Sequence, residues 1–513
     1  MLDNDLKEQL REVFAPLQNS VELCHDESTH ASQSELMELL EGLASVSPKV
    51  VVRSSGQTRI FPQFQVFTKG RFTGITFKGI PGGHEFTSLV LAILNADGKG
   101  KLPEKNVADR IRRIKGPVRI KTYISLTCEN CPDVVQALNQ MALLHPDFHH
   151  EMIDGSFVPA EVEALSLQGV PAVVVNSKLI HSGRIQFLDL IGKLEAVYGT
   201  AEASSEVVAQ DLGQFDVVVI GGGPAGVSAA IYSARKGLKT AVLAERLGGQ
   251  VQDTKGIENL ISVPYTEGPL LAAELRKHLN AYPVSIFEQR RVLKLEGKKV
   301  LLEGGENIAG DSIIVATGAK WRELGVPGEK EYLGRGVAFC PHCDGPFYKG
   351  KKVAVVGGGN SGVEAAIDLA GIVGEVVLFE FQDELKADRV LVDKLKSLKN
   401  TSILTSAKTK QVLGDGQKVS HLEYEDRKTG ESYKVPLDGI FVQIGLLPNS
   451  GFLKGVVELT PFGEVVVDLK NRTSVKGIYA AGDVTTTPYK QIVIAMGEGA
   501  KAALAAFEDR IHA

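Results

Sequence analysis

Cys340-Pro341-His342-Cys343, followed at once by Asp344, is the stretch of this sequence best suited to chemistry, and Cys128-Glu129-Asn130-Cys131 is a second one far upstream. Two residues between cysteines let the sulfurs close a small ring, so each pair can open and close as a disulfide, and neighbouring groups can lower one thiol's pKa. Four of the five cysteines fall in these pairs, which is too few for a secreted disulfide framework and suits cytoplasmic redox work. Paired CxxC is also a tetrathiolate zinc signature. The two pairs sit in unlike contexts, however, and the downstream one adjoins nucleotide-binding signatures, so a redox role is preferred and no metal is expected. Cys24 has no partner in sequence and is expected to be a plain buried thiol.

The elements that must position these sulfurs form several units. At 513 residues the chain exceeds one core, and roughly 100 to 200 residues per domain predicts three or four. A net charge of -5 leaves no basic footprint for nucleic acid. No apolar run approaches the roughly 20 residues needed to cross a bilayer, and Met1 to Phe14 is charged and helix-like with no apolar signal core.

Upstream, a strand over Val118–Leu126 runs into Cys128 and Cys131, a helix over Pro132–Leu144 follows, and Gly169-Val170-Pro171-Ala172-Val173-Val174-Val175 precedes a turn, a strand and a last helix. That is the order of a thioredoxin or glutaredoxin fold. Pro171 stands where such folds keep a cis proline beside the dithiol, the other reading being a trans proline opening an edge strand. Residues 1–100 repeat the layout weakly, with Cys24 expected at the end of a strand and Phe61 to Val66 as the proline strand. With one cysteine this copy cannot cycle as a dithiol and is read as a degenerate thioredoxin-like scaffold or docking surface. Its last helix is expected over Glu85–Asn95, with Glu85 as an acidic residue suiting a helix N-terminus. Gly199 to Gln214 reads as a polar connector, or as a rigid helical spacer given its Ala and Glu content.

Downstream the pattern sharpens. Val217–Ile220 is a buried strand, Gly221-Gly222-Gly223-Pro224-Ala225-Gly226 a turn, and Val227–Lys236 a helix. Gly221 permits the tight turn, Gly223 lets the backbone approach a pyrophosphate, and Gly226 allows close helix packing. Glu245, 245 − 221 = 24 residues on, is placed to hold a ribose hydroxyl. Gly357-Gly358-Gly359-Asn360-Ser361-Gly362 repeats the signature after the strand Lys352–Val356, with Glu380 at 380 − 357 = 23. Two complete fingerprints predict two dinucleotides, one FAD held permanently and one nicotinamide that exchanges.

Gly221–Gly226, Ser312 to Gly318, Cys340–Asp344 and Gly477 to Asp483 together resemble the thioredoxin reductase type of flavoprotein. The tandem thioredoxin-like half narrows the resemblance to the flavoprotein subunits of bacterial alkyl hydroperoxide reductases, over essentially the whole chain. The resemblance implies an α/β chain of tandem thioredoxin-like folds followed by two Rossmann-like domains, the second inserted in the first. The expected divisions are 1–100, 101–196 with the active dithiol, a linker at 197–211, an FAD domain in halves 212–327 and 448–513, and an NADH-binding and dithiol domain at 328–447.

The same resemblance implies that FAD is bound by Gly221, Gly223, Pro224, Ala225, Gly226, Glu245, Gln250, Thr317, Gly318, Gly482, Asp483 and Gln491. Asp483 is expected at the ribityl or phosphate region and Gln491 near the ring. The nicotinamide nucleotide falls to Gly357, Gly359, Asn360, Ser361, Gly362 and Glu380. Leu378 to Gln382 offers a carboxylate and no arginine, so NADH is expected over NADPH. Cys343 is assigned to the flavin and Cys340 to disulfide interchange with Cys128 or Cys131. Asp344 is the implied acid–base group, with His342 an assistant or a spacer. The inserted domain is expected to rotate on crossings near Val326-Pro327-Gly328 and Leu446-Leu447-Pro448-Asn449. Electrons would leave through Cys128, with Cys131 resolving, to a separate two-cysteine peroxiredoxin. The chain would be a cytoplasmic homodimer answering to reactive oxygen species. Thioredoxin, glutaredoxin or another disulfide protein as acceptor, and a non-catalytic redox sensor or interaction protein, are the competing readings.

Overall fold

The computed structural model describes residues 2–512 other than 129, 166, 168–169, 202–209 and 255, with the side chains of His342 and Cys343 also outside the described set. The chain divides into two compact units, Met1–Glu206 and Val207–Ala513. Among the described residues no helix is long and apolar enough to cross a membrane.

In the first unit, period-two alternation builds strands: in Val118–Ile124, Val118 and Ile120 are buried while Arg119 between them is exposed. The strands are β1 (Val21–Ser28), β2 (Val50–Arg59), β3 (Gln63–Thr68), β4 (Arg71–Lys78), β5 (Val118–Ile124), β6 (Phe148–Asp154), β7 (Ala172–Val175) and β8 (Lys178–Ser182). The two thioredoxin-sized layouts share one eight-stranded sheet in the order β2-β1-β3-β4-β6-β5-β7-β8. The join is a parallel pairing of β4 with β6, Ile75 opposite His150. Gly74 makes it possible: at φ +86 it stands where a Cβ would come within 2.1 Å of the Phe148 carbonyl oxygen. One core then runs from Leu10 to Leu194 across both layouts.

Two expectations change here. Cys24 lies in the middle of β1, opposite Gln65, rather than at a strand end. The expected connector is also shorter. Thr200 bridges to Ile114, the Ala201 amide donates to the Arg113 carbonyl, and a strand begins at Asp211. Most of the rest of it, 202–209, lies outside the described residues.

In the second unit, β9 (Asp211–Ile220) and β10 (Thr240–Leu243) lead to β11 (Val284–Phe287), β12 (Val292–Glu296), β13 (Lys299–Leu302) and β14 (Asn307–Val315). They form a sheet in the order β11-β10-β9-β14-β13-β12. Val217 and Val219 face one core, with the helices Pro224–Arg235 and Ile492–Ile511, while Val218 and Ile220 face another, with Leu453 and Val465. A strand covered on both faces needs this uninterrupted apolar run.

Beyond Val315 come β15 (Ala319–Trp321), β16 (Val337–Ala338), β17 (Lys352–Val356), β18 (Glu375–Phe379) and β19 (Thr401–Leu404), then β20 (Ala407–Gly414), β21 (Val419–Asp426) and β22 (Ser432–Pro436). The chain ends with β23 (Gly439–Val442), β24 (Leu446–Pro448), β25 (Ile478–Ala480) and the helix Ile492–Ile511. β16-β23-β17-β18-β19 is a second sheet, and β20-β21-β22 a three-stranded one. β25 returns to pair in parallel with β14. β15 and β24 pair antiparallel, Ala319 opposite Pro448 and Trp321 opposite Leu446. Val326 packs on the core of the second sheet, so this ribbon precedes the expected first crossing at Val326-Pro327-Gly328, while the second expected crossing falls on it.

Candidate functional site

Two glycine turns have the same geometry. Gly221 (φ +121) follows β9, where a Cβ would come within 2.0 Å of the Ala316 carbonyl oxygen, and Gly357 (φ +126) follows β17, where one would come within 2.2 Å of the Gln443 carbonyl oxygen. Gly226 and Gly362 each lie against the first glycine of their own turn, a Cβ falling 1.9 Å from its carbonyl oxygen. Gly223 and Gly359 are the N-caps of the helices Pro224–Arg235 and Asn360–Ala370, and nothing lies within 4 Å of a Cβ on either. Each helix start therefore offers free backbone N–H groups beside open space, which fits a pyrophosphate.

The acidic partners differ. Glu245 is half-exposed and meets Arg291 through two hydrogen bonds, Nε at 2.9 Å and Nη2 at 2.6 Å, so an arginine shares the carboxylate expected to face a ribose. Glu380 is buried just past β18 and accepts from the backbone N–H groups of Gly358 (2.5 Å) and Gln382 (2.7 Å). Its carboxylate faces the turn and not solvent. Asn360 is tied to Asp388, donating from Nδ2 at 3.0 Å and accepting the Asp388 amide at 2.7 Å, which closes a loop over the turn. Ser361 is exposed at the start of the same helix, as is Gln250 in the short helix Gly249–Asp253.

Cys340 leaves the end of β16 and is disulfide-bonded; the side chains of Cys343 and His342 are outside the described set. Pro341–Asp344 makes one helical turn. Burial pushes the Asp344 carboxyl up to about 6, a hydrogen bond with the Cys340 backbone opposing it. A carboxyl titrating there can give or take a proton near neutral pH. The backbone before Cys340 is held from two sides. Gln443 Nε2 donates to the Phe339 carbonyl at 2.6 Å, and the Phe339 ring stacks on Trp321 of the ribbon at 6.0 Å between centroids.

The N-cap of the helix Ile492–Ile511 is Gln491, whose Nε2 approaches Cys340 Sγ at 3.9 Å. Asn259 Nδ2 donates to Gln491 Oε1 at 3.1 Å and so fixes which end of the amide faces the sulfur. Thr317 Oγ1 donates to the Asn449 carbonyl at 2.8 Å and Asn449 Nδ2 to the Thr317 carbonyl at 2.8 Å, joining the strand ends before β15 and after β24; the Gly318 carbonyl accepts the Asn449 amide. Glu498 is buried and accepts from the Gly482 amide at 2.8 Å and from the Thr487 hydroxyl. Burial raises the Asp483 carboxyl, with Lys490 opposing and Glu498 adding to the rise.

In the first unit Cys128 and Cys131 form a disulfide with Cα atoms 5.5 Å apart. Cys131 is buried at the start of the helix Cys131–Leu144, while Cys128 is partly exposed. The Val170–Pro171 bond is cis, and Cys128 Sγ lies 3.7 Å from the Val170 carbonyl oxygen. Cys24 is a free buried thiol, raised chiefly by burial.

Sequence reasoning missed the burial of Glu85. The helix of the first layout begins at Phe86, one short turn Gly83–Glu85 precedes it, and Glu85 stands at the N-cap as expected, but its side chain makes no capping hydrogen bond and the residue is 0% exposed. Neither carboxyl oxygen meets hydrogen-bond geometry with a described group. Burial pushes this carboxyl up to about 7, with the Ser88 hydroxyl opposing and the charge of Asp133 adding to the rise. The same region meets the elements that flank the dithiol: the His84 amide donates to the Leu126 carbonyl at 3.3 Å, and Gln136 Nε2 of the helix Cys131–Leu144 donates to Ser88 Oγ at 3.3 Å. An Asp or Glu closely followed by a small polar residue at a weak helix start is the only signal the sequence carries, and it does not distinguish a buried carboxyl from a cap.

Residues 215–499 match the pyridine nucleotide-disulphide oxidoreductase family and residues 118–195 a thioredoxin domain family. The F-type alkyl hydroperoxide reductase subunit of Pseudomonas putida is 50% identical over 518 residues, spanning 100% of this chain and 99% of that protein. Its Escherichia coli counterpart is 49% identical, over 99% of this chain and 98% of that one. A Bacillus subtilis protein named NADH dehydrogenase is 48% identical over 99% of both. Among solved structures, thioredoxin reductase from Streptococcus pyogenes aligns with 58% of this chain and 99% of its own, at 35% identity and a TM-score of 0.55.

Proposed function

The chain belongs to the alkyl hydroperoxide reductase F-type family of flavin- and nicotinamide-dependent disulfide oxidoreductases, and from that premise we propose that it carries electrons from NADH through FAD to Cys340/Cys343, then to Cys128/Cys131, and finally to a two-cysteine peroxiredoxin. The observation that carries this reading is a disulfide at Cys340 within 3.9 Å of Gln491, in a unit holding two complete dinucleotide cradles. FAD, when bound, supplies the two-electron stop between the nicotinamide and the first disulfide. We assign it to the Gly221–Gly226 cradle, with Gln250, Thr317, Gly318, Asp483 and Gln491. Glu245, already shared with Arg291, holds the ribose through the lone pairs that the two arginine bonds leave free.

The nicotinamide nucleotide belongs to the Gly357–Gly362 cradle, where Glu380, buried and anchored by two backbone amides, accepts from the ribose hydroxyls and opposes a 2′-phosphate. The names of the Bacillus subtilis relative and of a second one from Ferdinandcohnia support NADH as the donor.

Asp344 receives and returns the proton when the Cys340–Cys343 bond opens and closes, at a carboxyl poised near neutrality. Cys340 then attacks the Cys128–Cys131 disulfide, and Cys128, the more exposed of that pair, attacks the acceptor while Cys131 resolves. We assign the buried proton store of this half to Glu85, whose carboxyl burial pushes up to about 7 and whose neighbour His84 bonds to Leu126, two residues before Cys128. The domain scheme is taken as 1–100, 101–196, 212–321 with 446–513, and 322–445, the first crossing lying at the Ala319–Trp321 ribbon and not at Val326-Pro327-Gly328. The enzyme works as a cytoplasmic homodimer.

Cys128→Ser separates the steps. In anaerobic stopped flow with NADH it should reduce flavin at the wild-type rate while losing all peroxiredoxin turnover. Turnover that survives would refute the relay order. Purified thioredoxin and glutaredoxin assayed beside the peroxiredoxin decide the acceptor.

A further inference from the structure

We propose that Arg427 is a cation placed to receive a 2′-phosphate at the second cradle and that Glu380 keeps it out of use, so that this pair sets the choice between the two nicotinamide nucleotides. The proposal rests on assigning the Gly357–Gly362 cradle to the nicotinamide nucleotide.

Nothing in the segment Leu378 to Gln382 is basic, yet the fold brings an arginine there from the turn between β21 and β22. Arg427 Nη1 donates to the Phe381 carbonyl at 2.8 Å, and its guanidinium carbon lies 3.9 Å from the centre of the Phe381 ring. Phe381 directly follows Glu380, so the guanidinium is anchored one residue from the carboxylate that faces the glycine turn. The anchoring is backbone work. The Arg427 amide donates to the Ser406 carbonyl (2.8 Å), the Ser406 amide to the Gln382 carbonyl (2.6 Å), and the Ala407 amide to the Glu380 carbonyl (2.9 Å). These bonds fix the hairpin turn against the end of β18 independently of the arginine side chain.

A site for a 2′-phosphate needs a planar, permanently charged donor near the ribose that the acidic residue otherwise occupies. Arg427 is exposed, stacked on one face by an aromatic ring, and in no ion pair among the described residues. Stacking leaves its in-plane N–H groups directed outward, where two could meet two phosphate oxygens. The other cation near Glu380 is Lys386, whose Nζ is engaged with Glu384 at 2.8 Å. In the native protein the Glu380 carboxylate and a phosphate dianion would share one position. Their repulsion prevails, because Glu380 is buried and held by two amides while Arg427 lies in solvent.

The test uses oxidised, FAD-loaded holoenzyme titrated calorimetrically with ADP-ribose and with 2′-phospho-ADP-ribose. Glu380→Gln keeps an acceptor for the Gly358 amide and removes the charge. It should tighten 2′-phospho-ADP-ribose relative to ADP-ribose by about ten-fold or more, the range of a charge-assisted bidentate contact. Adding Arg427→Gln should abolish that gain, adding Lys386→Gln should keep it, and Arg427→Lys should keep part of it. A gain that survives Arg427→Gln overturns the proposal. No gain in Glu380→Gln, with ADP-ribose still bound, instead removes the nicotinamide reading of Glu380 on which it rests. Should Glu380→Gln lose both ligands through a disturbed turn, Glu380→Ser takes its place: it should tighten 2′-phospho-ADP-ribose relative to ADP-ribose by at least about three-fold, adding Arg427→Gln should abolish that gain, and a gain that survives Arg427→Gln, or none at all with ADP-ribose still bound, refutes the role.

Discussion

Glu85→Gln should change how the stability of the first unit depends on pH. In the folded chain the Glu85 carboxyl is pushed from 4.5 up to about 7, while the unfolded chain holds it at its ordinary value. Below about pH 4.5 it is neutral in both states and contributes nothing. Between pH 4.5 and about 7 the unfolded chain releases the proton that the folded chain keeps, so stability falls across this window and is level above it. At 1.36 kcal/mol per pKa unit the loss is about 3 kcal/mol. Glutamine does not titrate, so the variant lacks this loss. Its amide introduces two buried donors at a fixed cost of about 1 to 3 kcal/mol, the same at every pH. The informative quantity is therefore the difference between variant and wild type at pH 8 minus that at pH 5. Part of the loss has already occurred at pH 5, so this quantity should be about 2.5 kcal/mol in favour of the variant, or roughly 5 to 10 °C in the midpoint of a unit of this size. Calorimetry of the oxidised holoprotein measures it, with Cys128 and Cys131 locked in their disulfide so that no thiol there titrates. A variant-to-wild-type difference that is equal at pH 5 and pH 8 would show that Glu85 is not held protonated, and its role as a proton store would fall with it.

Asp344→Asn should slow reduction of the Cys340 disulfide by about 10²-fold or more and remove the inflection near pH 6 from its rate profile, with flavin reduction by NADH unchanged; a wild-type profile in rapid-mixing absorbance would contradict the assignment. Gly357→Ala drives a Cβ to 2.2 Å from the Gln443 carbonyl oxygen and demands φ +126 of a residue that resists it, so NADH affinity by titration should fall by at least about ten-fold while bound FAD is retained. An anaerobic NADH titration should consume about six electrons per chain, two for each of the flavin and the two disulfides; an uptake of four would leave one dithiol outside the relay.

What the sequence reveals here is what short stretches encode. Both glycine turns are legible because a backbone that must approach a phosphate excludes Cβ atoms at fixed offsets, and both cysteine pairs because a closing ring sets their spacing. The cis bond at Pro171 is legible only through the likeness of the strand, CxxC and helix order to a thioredoxin fold, since the local sequence equally allows a trans proline opening an edge strand. Groups brought together by packing are not legible. Glu85 looks like a helix-capping acid until the helix Cys131–Leu144 covers it, and Arg427 lies 427 − 380 = 47 residues from the carboxylate it flanks. Asn259 acts on Cys340 only through Gln491, which is 232 residues away in sequence. The shared eight-stranded sheet depends on Gly74, whose reason appears only once β6 lies beside it.

The ribbon of β15 and β24 also bears on how this chain can be cut and rejoined. Because Trp321 sits opposite Leu446 in an antiparallel pair, the chain leaves and re-enters the first sheet's neighbourhood at adjacent points. Antiparallel neighbours can be closed by a two-residue hairpin. Residues 322–445 are therefore a removable cassette: a tight turn in their place restores the connection with no change in strand register, and the excised segment has ends close enough to be circularised. A gene that gained the second nucleotide module in one insertion, without rebuilding the first, would leave this geometry behind.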